Sequence, residues 1–349
     1  MIKKHRFPYN WTLKEAVFTK DKGTVFSCFA CGGGSTMGYK LAGFDVLGCN
    51  EIDPKMFEAY KTNHNPKYAY LEPIQTFKLR TDLPDELYDL DILDGSPPCS
   101  SFSMAGNREK DWGKEKKFRE GQAEQVLDNL FFDFIDLAKE LQPKVVVAEN
   151  VSGLMMGSAK DYVKRIYSEF KNAGYQLRIE PYLLDASNMG VPQRRKRVFF
   201  IAIRNDLANK FMEQVDMFQV APKLDLDFNE ERLTLRKINV ELGDDLKGFA
   251  IQDWTRMKNG EPKKYQQSVM VDIDEVHPTV IGGYKSKASP MPNWCPKWMS
   301  KSDLCKIGTY PQDYDFGKLK EGYLIGMSVP PIMTAQIATE IYNQWLSKL

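Results

Sequence analysis

The feature that most constrains this chain is an alternation. Through the N-terminal two-thirds, short runs rich in β-branched residues alternate with amphipathic stretches of helical period, which calls for a doubly wound α/β fold, a mainly parallel sheet covered by helices on both faces. The expected strands are Thr24 to Phe29, Phe44 to Cys49, Leu90 to Asp94, Lys144 to Ala148 and Val198 to Ile203. The clearest expected helix runs from Gln122 to Leu141, where Val126, Leu127, Leu130, Phe131, Phe134, Ile135, Ala138 and Leu141 form one apolar face before Gln142-Pro143 stops it. After Arg204 the alternation gives way to charged, aromatic, irregular sequence, and helical periodicity returns from Pro331 to Leu349. The expected organisation is a larger first domain at 1–204, a smaller domain at 205–321, and a terminal segment at 322–349 that returns to the first domain.

With 349 residues the chain can build cores that need no staple. Its 48 Lys plus Arg against 47 Asp plus Glu leave a formal charge of +1, so any polyanion must be held by local clusters. No apolar run is long enough for a membrane span and the start lacks a signal-peptide pattern, so a cytoplasmic location is expected. Six cysteines are too few for a disulfide scaffold. Cys28 and Cys31 form a CxxC, open to a redox or zinc reading, but there is no second CxxC and only three histidines, so no metal is expected.

The first strand runs into Ala30-Cys31-Gly32-Gly33-Gly34-Ser35 and then a helix, a turn where backbone N–H groups can meet an anionic ligand. Glu51 ends the next strand, where an acidic residue accepts hydrogen bonds from ribose hydroxyls in doubly wound folds. The bland alternative is a tight structural turn and a solvated strand end. A dinucleotide oxidoreductase is disfavoured: counting from Gly32, the third glycine of GxGxxG would fall at Met37.

Pro97-Pro98-Cys99 follows a strand directly, and two prolines fix the turn that presents the thiol at the carboxyl edge of the sheet. A thiolate there can act as a nucleophile, against the plainer reading of a small buried hydrophobe. Val145 to Val151 brings Glu149 to the same edge, where burial would let it hold a proton for a ring nitrogen. In Gln193-Arg194-Arg195-Lys196-Arg197, Arg195 and Arg197 share one side of the strand and can converge on one anionic group, unless the run is a solvated face.

Taken in order, these segments resemble the DNA (cytosine-5)-methyltransferase family. Phe29 to Gly34 resembles its cofactor loop, Asn50-Glu51-Ile52-Asp53 its ribose and adenine edge, and Pro97-Pro98-Cys99 its nucleophile motif. Glu149-Asn150-Val151 resembles its acid motif, Gln193 to Arg197 its arginine motif, and Gly326-Met327-Ser328-Val329-Pro330 its C-terminal cofactor motif. The resemblance implies S-adenosylmethionine as cofactor, contacted by Phe29, Ala30, Gly32, Gly33, Gly34, Glu51, Ile52, Pro98, Leu130, Ser328 and Val329. It implies methyl transfer to a cytosine flipped out of double-stranded DNA: Cys99 adds to C6, Glu149 holds or protonates N3, and Arg197 binds the base oxygen and orients Glu149, with Arg195 nearby.

The same likeness makes the stretch from Ser100 to about Glu124 a loop closing over the flipped base, with Ser103, Arg108, Lys110, Lys114, Lys116, Lys117 and Arg119 facing DNA. Interleaved acidic residues keep a solvated charged loop open as an alternative. It also implies that 205–321 reads bases in the major groove, that the protein acts as a monomer, and that a restriction endonuclease partner can exist. Three residues depart from the family pattern: Cys31 for glycine, Pro73 near a cofactor-binding aspartate, and Met327 for asparagine, which implies altered cofactor contacts. The rival functions are a transfer RNA cytosine-5 methyltransferase, whose Cys-Phe-Thr signature does not occur here, and a catalytically silent DNA-binding homologue.

Overall fold

A computed structural model of the protein describes residues 9–98, 129–155, 159–217, 219–240, 259–261, 273–280 and 299–349. The expected alternation is present from the first strand, with β1 (Thr24–Cys28), α1 (Gly34–Leu41), β2 (Asp45–Glu51), α2 (Pro54–His64), β3 (Tyr68–Leu71), α3 (Ile74–Phe77) and β4 (Ile92–Gly95) in succession. It continues through α4 (Leu130–Leu141), β5 (Val145–Val151), α5 (Lys160–Asn172), β6 (Tyr175–Leu177), β7 (Tyr182–Asp185), β8 (Gln193–Arg194) and β9 (Lys196–Arg204). Local signals set several boundaries. Asp53 caps α2 by accepting the N–H groups of Lys55 and Met56, with Pro54 in the first turn, where its missing N–H costs nothing. Helix α4 stops at Gln142, held at φ 48°, just before Pro143. Its expected first turns at 122–128 lie outside the described residues.

All of these strands but β8 form one eight-stranded mixed sheet in the order β3-β2-β1-β4-β5-β9-β6, with β7 also on β9. Strands β3 to β5 pair in parallel, and β9 runs antiparallel to β5 over seven register pairs, from Val145 opposite Ile203 to Val151 opposite Arg197. That pairing extends β5 past the expected end at Ala148 and carries Glu149 and Asn150 inside the strand rather than beyond it. The order reverses between β1 and β4, so their carboxyl ends flank the crevice where ligands of open α/β sheets bind.

Both sheet faces are covered. On one, α4 and α5 pack against Phe26, Leu93, Val146 and Phe200. On the other, α1 and the returning C-terminal helix pack against Val25, Ile92, Val147 and Ile201. Beyond β9 come α6 (Asn205–Ala208), the hairpin β10 (Met212–Gln214) and β11 (Val220–Pro222), and β12 (His277–Pro278), which pairs in parallel with β8. Helices α7 (Lys301–Gly308) and α8 (Glu321–Met327) build a third apolar cluster with Met37 of α1 and Met56 of α2. Helix α9 (Pro331–Gln344) then lies along α1. Among the described residues no helix is long and apolar enough to cross a membrane.

The α1–α9 contact depends on Gly38. A Cβ there would lie 2.4 Å from Thr334 Cβ and 2.5 Å from the Pro331 carbonyl oxygen. Alanine is a better helix former than glycine by about 1 kcal/mol, but backbone cannot yield as a side chain can, and overpacking costs about 1–3 kcal/mol. Gly38→Ala is therefore expected to lower stability by up to about 2 kcal/mol on balance, read as a lower urea midpoint at unchanged slope. A midpoint above the parent's would show that the two helices separate without cost.

Candidate active site

The loop after β1 is wound by left-handed backbone at Phe29 (φ 51°), Cys31 (φ 48°) and Gly33 (φ 80°). At the first two, side chains occupy a region that costs about 1–2 kcal/mol for residues other than glycine. Cys31 thus departs from the family's glycine at a position whose backbone favours glycine. The loop is held from several sides. Glu51 accepts the Cys31 N–H on Oε2 at 2.7 Å, and the Ile52 and Asp53 N–H groups on Oε1 at 2.9 and 2.8 Å. The Tyr314 hydroxyl donates to the Gly32 carbonyl. Glu51 is buried, not a solvated strand end, and its carboxylate is the clamp between the loop and β2.

The glycines of this loop make their close approaches to protein groups. A Cβ on Gly33 would lie 2.1 Å from His64 Nε2, and one on Gly34 would lie 2.3 Å from the Val329 carbonyl and 2.8 Å from the Tyr310 hydroxyl. Burial holds the His64 imidazole neutral, its pKa well below the ordinary value. What remains for a ligand is the backbone: the first-turn N–H groups of α1, at Gly34, Ser35 and Thr36, have no intrahelical acceptor. Half-buried Phe29 packs edge-on to Phe134, and half-buried Pro98 and Ile52 lie at neighbouring strand ends. This combination of N–H donors, an acidic clamp and apolar surface fits an adenosine cofactor with a charged tail. Ala30, Ser328 and Val329 are nearly covered, and the Ser328 hydroxyl donates to Leu324 O. Leu130 lies within the α4 core. Of the departures, Pro73 caps α3, and Met327 ends α8, packed against the third cluster.

At the end of β4, Asn150 Nδ2 donates to the Pro97 carbonyl at 3.1 Å. That bond ties β5 to the diproline turn and was not foreseen, although Asn150 is part of the acid motif. Cys99, the next residue after Pro98, lies outside the described residues, as do Ser103, Arg108, Lys110, Lys114, Lys116, Lys117 and Arg119.

Glu149 and Arg197 project from the same face of the β5–β9 ladder, and Arg197 Nε lies 2.9 Å from Glu149 Oε1. Both side chains are largely covered, and burial lowers the Arg197 pKa while Glu149 opposes the shift. Arg195 does not join this pair. It donates through Nη1 to Val280 O at 3.2 Å and through Nη2 to Gly326 O at 3.0 Å, and burial lowers its pKa to about 9. The four-charge run is therefore divided: Arg194 and Lys196 are exposed, while Arg195 and Arg197 face inward to different acceptors.

The CxxC does not form a pair. Cys28 lies in the α4 core, its thiol pushed well above the usual range by burial, while Cys31 packs in the third cluster. Among the described residues no three His, Cys, Asp or Glu side chains gather as metal ligands.

Sequence reasoning also passed over Asp94. It accepts hydroxyl hydrogens from Ser27 at 2.8 Å and Tyr39 at 3.2 Å, one layer beneath Glu149 on the same sheet face. Burial raises its pKa to about 7, the hydroxyl donors oppose the rise, and the charge of Glu149 adds to it. The signal was an acidic residue where a buried strand calls for an apolar one.

The family of C-5 cytosine-specific DNA methylases matches residues 23–343. The chain belongs to that family. Among relatives of this chain, the type II methyltransferase M.FnuDI of Fusobacterium nucleatum is 35% identical over 52% of this chain and 47% of its own length. M.NgoPII of Neisseria gonorrhoeae is 31% identical over 63% of this chain and 57% of its own. The chain thus spans about half the length of these two. M.MthTI of Methanothermobacter thermautotrophicus matches at 27% identity over 91% of this chain and 96% of its own length. Among solved structures, a protein encoded within an E. coli prophage superposes with TM-score 0.65 at 22% identity, covering 92% of this chain and 98% of its own. The Dnmt2 methyltransferase of S. pombe superposes with TM-score 0.58 at 16% identity, covering 92% of this chain and 99% of its own. These two share the fold.

Asp94 gives a pH signature. Its pKa is raised from 3.8 to about 7 in the folded protein, so the folded state binds this proton more tightly than the unfolded chain does. Its contribution to stability is greatest below the unfolded value and falls as pH rises through this window, then stays level. Asp94→Asn keeps the shape and one acceptor without the charge. Its Tm relative to the parent is expected to rise by a few degrees between about pH 5 and about pH 8. A difference that does not change with pH would mean that Asp94 is ionised throughout.

Proposed function

We propose that this methylase transfers a methyl group from S-adenosylmethionine to C5 of a cytosine turned out of double-stranded DNA, through a covalent bond from Cys99 to C6. The observation that carries the reading is the buried Glu149–Arg197 pair, next in the strand to Asn150, whose side chain fixes the turn leading into Cys99. A duplex cytosine is out of reach, and extruding it costs a few kcal/mol of lost stacking and pairing.

With the base in the crevice, the Cys99 thiolate adds to C6 and the electron pair of the C5–C6 bond makes C5 nucleophilic. Glu149 donates a proton to N3 as negative charge develops on the ring, and Arg197 keeps that carboxyl group aimed while donating to the base oxygen. When bound, S-adenosylmethionine supplies an electrophilic methyl group. Loss of the C5 proton then restores the double bond and expels Cys99. Gly32, Gly33 and Gly34 with the start of α1 would hold the cofactor's charged tail, Glu51 and Ile52 its ribose and adenine, and Phe29, Ala30, Pro98, Leu130, Ser328 and Val329 its remaining surface.

The region 205–321 reads the target sequence, and Ser103, Arg108, Lys110, Lys114, Lys116, Lys117 and Arg119 grip the flanking DNA. The protein acts in the cytoplasm as a monomer, and a restriction endonuclease of matching specificity can be its partner.

Bisulfite sequencing of host DNA after expression of the chain identifies the methylated site. Duplex DNA carrying 5-fluorocytosine at that site is expected to become irreversibly joined to the enzyme when the methyl donor is present, because no C5 proton remains to be lost. Absence of that adduct would overturn the covalent route, and methylation of transfer RNA in preference to duplex DNA would overturn the substrate. Cys99→Ser is expected to abolish transfer while leaving DNA binding measurable. Glu149→Gln is expected to cut kcat by about 10²- to 10⁴-fold with little change in cofactor affinity. A defect confined to cofactor affinity would place Glu149 outside the chemistry.

A further inference from the structure

Gln193 and Arg195 point inward on either side of exposed Arg194, and they close on one residue. The Val280 N–H donates to Gln193 Oε1 at 3.0 Å, and Arg195 Nη1 donates to the Val280 carbonyl at 3.2 Å. Both backbone groups of Val280 are thus held by side chains of the arginine motif. The preceding residues are fastened as well: β12 pairs with β8, His277 opposite Gln193 and Pro278 opposite Arg194, and the Thr279 hydroxyl donates to the Arg194 carbonyl at 2.6 Å. Arg195 Nη2 reaches on to the Gly326 carbonyl at 3.0 Å, at the far end of the chain.

Arg195 is 2% exposed, so it has almost no surface with which to touch a substrate. Burying a guanidinium costs several kcal/mol, and Arg195 Nη1 and Nη2 meet neutral carbonyls here. A planar donor with separate arms can bridge two carbonyls on different segments, which a lysine ammonium at the end of a flexible stem cannot reproduce. Two residues further along the same backbone, Arg197 meets Glu149.

We propose that Arg195, with Gln193, is a positioning residue that couples the target-recognition region to the Glu149–Arg197 pair, so that a correctly read DNA sequence aligns the pair for methyl transfer. Displacing the segment at 277–280 pulls on both backbone groups of Val280, and through them on the strand whose next residues carry Arg197. The inference rests on the functional reading above, and its test separates the two.

Once the target site is known, kcat/KM is measured on the cognate duplex and on duplexes with one base pair changed, for the wild-type chain, Arg195→Lys and Gln193→Met. Coupling predicts that the ratio of cognate to changed duplex falls at least about tenfold in both variants, mainly through kcat on the cognate site. Cofactor affinity by calorimetry is expected to stay near the wild-type value. The combined variant is expected to be little worse than either alone, because both side chains grip the same residue. If Arg195→Lys fails to fold, the same ratio in Gln193→Met decides. Equal losses on cognate and changed duplexes, or an unchanged ratio, would overturn the coupling while leaving methyl transfer intact. A wild-type chain that methylates no duplex DNA would instead overturn the functional reading, and this inference with it.

Discussion

The site depends on the direction of one strand. Because β9 runs against β5, its first residues lie beside the last residues of β5, at the edge of the sheet where β1 and β4 also end. A parallel β9 would put Arg197 at the opposite end, about 20 Å away at roughly 3.3 Å per residue. The antiparallel ladder brings Arg197 onto Glu149, lengthens β5 so that Asn150 can hold the diproline turn, and starts β8 where β12 can pair with it. Acid, turn and recognition segment are therefore assembled by the same run of backbone hydrogen bonds.

Around that ladder four buried charged side chains meet four different kinds of partner. Glu51 spends its carboxylate on three backbone N–H groups, which holds a loop wound through left-handed backbone. Glu149 has a cation, Arg197. Asp94 is hydrogen-bonded by neutral hydroxyls, and its pKa rises. Arg195 donates to carbonyl oxygens, and its pKa falls. Both shifts express one rule: a buried charge that lacks an opposite charge in contact is less stable than in water.

Much of this was legible in the chain. Strands β1 and β4, the apolar face of α4, the Asp53-Pro54 start of α2 and the stop at Gln142-Pro143 are decided by neighbouring residues. The ordered motifs identified the family and put Glu149 and Arg197 in one site. Other features were not legible. Glycines 32 to 34 are bound by packing against Leu324, His64 and Val329, which a motif does not reveal. Arg195 and Arg197 share a side of the chain, yet they meet different partners. The partners of Asn150 and Asp94 were not legible either, because a polar residue inside a strand gains meaning only from what lies across from it.

By itself the sequence determined the alternation of strands and helices, the residue types gathered at the strand ends and the family to which the chain belongs, because hydrophobic period and covalent order are local properties. Only the tertiary structure decided the direction of β9, the length of β5 and the partner of each buried charge. The bonds from Arg195 to Val280 and Gly326 span 85 and 131 residues. Such contacts follow from strand order and direction, and a pattern of period two or 3.6 is the same whichever way a strand runs.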